Sequence, residues 1–227
     1  MTSFLSNKNV CLSLVLGTLC LGVMSTPPQG HADPGWMWGL GLGAPQISGE
    51  SSETIDSQFL GTEGKSEKFS QWGFLFGFNV SYVYRWIAPE LSLDFLTPKA
   101  KHTHEAYGFT GSIAHNANLG LACKFGLFER EGFQPFAKLG LDFGWFALDY
   151  AEPAADFKSD GTKLKTGMSL GIGVLRKFER ITWSLSYTWT TFGKIERSFT
   201  DGRNHTIKQT FDKVSKNVIM VGMHLPI

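Results

Sequence analysis

The chain is short of charge, of usable cysteine and of long apolar runs. Charged residues make up 18% of its 227 positions, against roughly 25% in average chains. No apolar run of the ~18 residues needed for a membrane helix lies in the body of the chain, which excludes a bundle of membrane helices. There are three cysteines. Cys11 and Cys20 fall in a leader-like N-terminus, so Cys123 stands alone beyond it and no intramolecular disulfide framework is available. What is abundant is aromatic and small: 14% aromatic residues, 7 Trp and 26 Gly, a composition that argues against disorder.

The first 32 residues read as an address. Lys8 supplies a positive start, VCLSLVLGTLCLGV (10–23) an apolar centre, and Gly30 and Ala32 the small residues of a cleavage site before Asp33. This is the pattern of a cleaved secretory signal, and the apolar stretch is short for a membrane anchor of ~20 residues. Removing 1–32 takes away Lys8 and leaves 20 basic against 20 acidic residues. That balance points to no nucleic-acid partner. The expected mature domain is 33–227.

A period of two runs through that domain. Trp72, Phe74, Phe76, Phe78, Val80, Tyr82, Tyr84 and Trp86 are all bulky, at consecutive even positions. A helix would scatter them, whereas a strand places them on one face. The pattern marks eight strands, over Trp36–Leu42, Trp72–Trp86, Leu91–Phe95, Leu119–Phe125, Ala137–Trp145, Met168–Val174, Ile181–Trp189 and Ile219–Ile227. The alternate positions carry Gly, Ser, Thr and Asn. They also carry the charges Glu90, Asp94, Lys124, Lys138 and Asp142, with Arg85 near one end.

Volume decides which face is inside. About forty bulky side chains would overfill an eight-stranded barrel, whose interior just accommodates its own side chains or one small ligand. That disfavours a secreted, lipocalin-like barrel. Small residues and ions inside with an apolar exterior is the pattern of a transmembrane β-barrel, and so large an apolar exterior needs lipid around it. The expected fold is all-β, an eight-stranded antiparallel up-and-down transmembrane barrel.

Loop lengths and tryptophans agree. Long connections are expected at 44–68, 97–108, 149–163 and 191–215, and short ones near 87–89, 126–132 and 176–180. Outer-membrane barrels have long external loops and short periplasmic turns. Trp36, Trp38, Trp86 and Trp183 then fall near the periplasmic strand ends, and Trp72, Trp145 and Trp189 near the external ends. Two interfacial aromatic girdles are expected of such a barrel.

Three stretches, FQPFAKLGLDFGW (133–145), TWSLSYTWTTFG (182–193) and NVIMVGMHLPI (217–227), resemble the small eight-stranded outer-membrane barrels: the OmpA-type transmembrane domain and the opacity-like surface antigens. The resemblance covers about 33–227. It departs at the end, where Pro226 and Ile227 stand in place of the family's usual final aromatic residue. It implies insertion in the bacterial outer membrane by the barrel-assembly machinery, lipopolysaccharide as a neighbour, and an ion network in the lumen.

Candidate chemistry is sparse. Glu90, Asp94, Asp142, Lys124, Lys138 and Arg85 form a balanced set of three carboxylates and three cations. Buried charges need partners, so the set reads as a structural network, with a gate for ions or small solutes as the sharper alternative. His102, His104 and Glu105 form an H-x-H-E cluster that supplies too few ligands for a metal site. The His-x-Ser pair of the lipid-deacylase barrels is absent, and His102, His104 and His205 lack the spacing of a palmitoyl-transferase set. His224 is expected to hydrogen-bond in the lumen and Cys123 to face lipid. No catalytic, cofactor or metal residue is assigned. The expected function is non-enzymatic: an envelope-structural or adhesin-like barrel whose external loops meet host or matrix ligands. A narrow gated channel and a lipid-modifying enzyme are the alternatives. The external segments differ in charge. Residues 45–68 are acidic and 191–216 basic.

Overall fold

A computed structural model of the chain describes residues 34–56, 64–104, 109–126, 132–152, 157–178, 180–200 and 206–227. Residues 1–33, with the expected leader 1–32, and residues 57–63, 105–108, 127–131, 153–156, 179 and 201–205 lie outside these residues. Ten strands follow one another: β1 (Gly35–Asp56), β2 (Gly64–Trp72), β3 (Leu75–Val83), β4 (Ile87–Leu96), β5 (Lys99–His104), β6 (Phe109–Gly126), β7 (Phe133–Glu152), β8 (Phe157–Phe178), β9 (Ile181–Thr200) and β10 (Thr206–Pro226).

These ten segments make eight staves. β2 and β3 both pair with β1, and β4 and β5 both pair with β6. All neighbours are antiparallel, and β10 closes on β1 from Met37–Pro226 to Asp56–Thr206. Closure satisfies the backbone polar groups that hydrocarbon could not. The two interruptions sit side by side. Pro98 has no N–H to give a ladder, and Gly73 packs so closely that a methyl on it would lie 2.5 Å from the Pro98 nitrogen. Cross-stave bonds there run from the Gly73 N–H to the Pro45 carbonyl (2.8 Å) and from the Phe74 N–H to the Thr97 hydroxyl (2.8 Å).

The bulky face points outward. Phe76, Phe78, Leu91, Leu121, Leu170, Ile172, Leu185, Ile219 and Val221 are all exposed, from 40% at Phe78 to 66% at Ile172. Across the wall, Asn79, Ser81, Glu90, Asn118, Asp142, Ser169, Ser184, Ser186 and His224 are buried. All seven tryptophans are on the outer face, exposed or half-exposed. Trp72 is in register with Gln46, Trp145 with Ala117 and Leu164, and Trp189 with Asn217. These three lie toward the end of the barrel opposite Trp36. From Trp36 to the level of Trp72 the wall is about ten residues tall, the height of a tilted membrane-spanning strand.

The external segments differ from expectation. The spans 44–56, 64–68, 97–104, 157–163, 191–200 and 206–215 are strand apart from Thr97 and Pro98, not loop. Above the tryptophans the outward residues meet water and become polar, so the alternation that signals a strand disappears: β8 reads FKSDGTKLKT there.

The barrel also changes form at this level. The β8–β9 ladder ends at Met168–Thr191 and the β3–β4 ladder at Leu75–Leu96, and no ladder joins β2 to β5. The external half is therefore two facing four-stranded sheets, β5–β6–β7–β8 and β2–β1–β10–β9. Their inner faces meet in a core of Ala100, Ile113, Phe146 and Leu148 from one sheet and Ile47, Phe192, Ile195, Phe211 and Val214 from the other.

Candidate functional site: the barrel interior

The interior is stacked in three levels. At the periplasmic level, β4 turns Glu90 inward and β6 and β7 bring Lys124 and Lys138 to it, at 2.5 Å and 2.8 Å. His224 of β10 shares a 2.9 Å hydrogen bond with Ser184 of β9, and both are buried.

At the middle level, the Lys216 ammonium donates to Asp142 at 3.2 Å and the Thr190 hydroxyl donates to the same oxygen at 2.8 Å. The Asn118 amide reaches Asp94 at 3.4 Å. Glycine makes the room, since a methyl on Gly77 would sit 2.6 Å from an Asp94 carboxylate oxygen. Every carboxylate thus has a cation or donor beside it, as buried charge requires.

The third level is the apolar core between the sheets. His115, at a β-bulge in β6, lies at its lower boundary, stacked on Phe146 at 4.3 Å with Phe192 edge-on at 5.3 Å. Neither ring nitrogen of His115 has a hydrogen-bond partner among the described residues. Above the core a second aromatic group, Tyr150, Phe157 and Phe199, packs with Ile207.

One member of the expected ion set lies in a turn and not on a strand. Arg85 lies in the tight β3–β4 turn at φ 57°, with its guanidinium over the Tyr84 ring. The third buried cation beside the carboxylates is Lys216, the last residue of the basic segment 191–216 expected to be external. Its even parity matches Val218, Gly222 and His224 on the same strand, so carrying the alternation outward from Gly222 would have found it. Cys123 keeps lipid-face parity but is buried between its cross-strand partners Pro89 and Leu139.

Among the described residues no group of His, Cys, Asp and Glu could hold a metal. The side chains of His102 and His104, together with Glu105 and His205, lie outside them.

Outside the lumen, Asp149 on the water-facing side of β7 binds the Lys99 ammonium at 2.6 Å, and that hydrogen bond holds its carboxyl below the ordinary range. On β9, Lys194 and Lys208 both donate to Glu196, at 2.7 Å and 2.9 Å, and hold its carboxyl at about 2.

A closed ring of amphipathic antiparallel staves, apolar outside and polar within, defines an integral membrane β-barrel. The chain belongs to the outer membrane protein beta-barrel domain family, whose model matches residues 16–215, and its location is the bacterial outer membrane. The match stops short of 216–227, which the structure pairs with both β1 and β9. Solved structures that share the fold include two outer membrane proteins. The outer membrane protein OprG of Pseudomonas aeruginosa has a TM-score of 0.59 at 16% identity, covering 88% of this chain and 99% of that one. The outer membrane protein AlkL, solved in lipid bilayers, has a TM-score of 0.52 at 13% identity, covering 89% and 94%. No curated protein matches the chain.

Proposed function

We propose that this barrel is sealed and non-enzymatic, and that it stabilises the envelope and holds its external sandwich and hairpin tips at the cell surface for contact with other molecules. The observation that carries this reading is the apolar core of Phe146, Leu148, Phe192, Ile195 and Phe211, seated directly above the paired ions. Large aromatic groups in contact there put apolar side chains across the axis. Rigid strands raise the binding surface clear of the lipid, and recognition residues concentrate on such supported tips. Outer-membrane lipid and lipopolysaccharide are its surroundings in this reading, the barrel-assembly machinery inserts it, and host or matrix ligands are the candidates for the tips.

Planar-bilayer recording tests the seal. The purified protein should give no steady conductance, and the double variant Phe146→Ala/Phe211→Ala should give small, frequent openings. Steady conductance by the unaltered protein would favour the narrow channel instead. Lipid A mass spectrometry of cells with and without the protein should show the same acylation pattern. A changed pattern would indicate a lipid-modifying enzyme. Residues 1–32 act as the export signal in this reading, so N-terminal sequencing of protein from outer membranes should begin at Asp33.

A further inference from the structure

One cation interrupts the apolar exterior. Below the level of Trp72, Trp145 and Trp189, every described strand residue of outward parity is uncharged except Arg176 of β8. It continues the row Met168, Leu170, Ile172 and Val174, two residues at a time, and so looks the same way as that stripe. The charges Glu90, Asp94, Lys124, Lys138 and Asp142 all have the inward parity. Arg176 is exposed.

Its depth follows from the end of the hairpin. The β8–β9 ladder finishes at Phe178–Ile181, and the next outward pair is Arg176–Trp183. Arg176 therefore stands one outward step from the tight turn, beside a tryptophan, where interfacial side chains meet head groups. Charge on a lipid-facing wall is costly at mid-membrane and tolerated near its edge. In the orientation adopted above this is the periplasmic edge.

The surroundings hold the guanidinium without satisfying it. Phe133, its cross-strand partner on β7, and Phe178 of its own strand lie under it, with ring centroids at 4.2 Å and 4.7 Å. Both are cation–π distances, and both rings are exposed, as is Trp183. Contact with ring faces engages none of the N–H donors in a conventional hydrogen bond. The guanidinium makes no hydrogen bond or ion pair with a described residue. A positioned fork of donors at head-group depth, on the same face as an apolar stripe, matches one ligand chemistry. Guanidinium binds phosphate oxygens bidentately in charge-assisted hydrogen bonds. Acyl chains of the same molecule would cover Ile172 and Leu170, 66% and 51% exposed.

We propose that Arg176 binds the phosphate of a glycerophospholipid in the periplasmic leaflet, with the head group against Phe133, Phe178 and Trp183 and the acyl chains along Val174, Ile172 and Leu170. This rests on the membrane orientation of the reading above and gives its lipid partner a defined site.

Native mass spectrometry of the full chain in detergent tests it, with phosphatidylglycerol, diacylglycerol of the same chains, diphosphoryl lipid A and glycerol phosphate as probes. The unaltered protein should retain phosphatidylglycerol and release diacylglycerol. Arg176→Gln should lose about tenfold in affinity and Arg176→Lys about threefold. Lys177→Gln, one residue away with the opposite parity, should be unaffected. Heat-modifiable gel mobility checks folding. Should Arg176→Gln fail to fold, Phe133→Leu, which keeps the cation and removes one ring face, should cost about threefold. Equal retention by Arg176→Gln, equal retention of diacylglycerol, or displacement of the lipid by millimolar glycerol phosphate would overturn the proposal. So would an Arg176-dependent preference for lipid A, which would place this end in the outer leaflet. Bilayer conductance of the same samples reads the seal separately: a conducting barrel that still holds phosphatidylglycerol through Arg176 would remove the sealed reading and leave this site standing.

Discussion

Glu90 holds two ammonium groups at once, and this sets the cost of removing it. Glu90→Gln would leave Lys124 and Lys138 buried without a full counter-charge. Breaking a buried pair from one side typically costs about 3–5 kcal/mol. Urea unfolding in detergent micelles should show a loss of that order, and a change below about 1 kcal/mol would mean the network carries no structural weight. That Glu90, Asp94, Asp142, Lys124 and Lys138 face inward was legible from parity, because each sits among small residues on a strand whose other face is bulky. Lys216 was not, because the bulky face that marks the strand ends near Ile219 and the lysine looks like the start of a polar loop. For Arg85 parity gives no orientation. Parity holds only while the backbone stays extended, and at φ 57° the chain is already turning.

At the scale of the element, the Glu196 carboxylate of β9 joins Lys194 of its own strand to Lys208 of β10, beside the backbone ladder that pairs the two strands. A carboxyl held down to about 2 when folded gives a contribution that is complete above the ordinary carboxylate range. It fades as the pH falls through that range toward 2. Because the group is well exposed, screening keeps the effect small. Hydrogen exchange of 194–200 and 206–210 should therefore be unchanged from pH 7 to 5 and rise modestly between 4.5 and 2 after correction for intrinsic rates, with Glu196→Gln removing the pH dependence. A rise of equal size in that variant would assign the effect to another group. The wall seams belong to this scale too. One is crossed by Arg197 and the other by the close contact of Gly73 with Pro98. Neither bridging pair has a period that a sequence reading could follow, since each joins residues far apart in the chain.

For the whole molecule, the decisive property is which way each face looks. Spin labels at Phe76 and Leu185 should report high oxygen and low aqueous-reagent accessibility in bilayers, and labels at the buried Ser81 and Ser186 low accessibility to both. Water-like signals at Phe76 and Leu185 would reject the membrane reading altogether. The seal operates at the same scale. Truncating Phe146 or Phe211 alone should cost about 3–5 kcal/mol through the cavity left in the apolar core, measurable as a lowered urea midpoint. A near-neutral result would show that the two sheets close over the gap.

The sequence alone determined the staves and their inside-out polarity, because a two-residue period in a lipid-facing wall is a local property of each strand. Only the tertiary structure decided that the external segments are strands arranged as two sheets, that aromatic residues close the lumen between them, and that Lys216 belongs to the ion network. Those features depend on which residues meet across the barrel, and in water the outer face no longer has to be apolar, so the sequence leaves them no periodic mark.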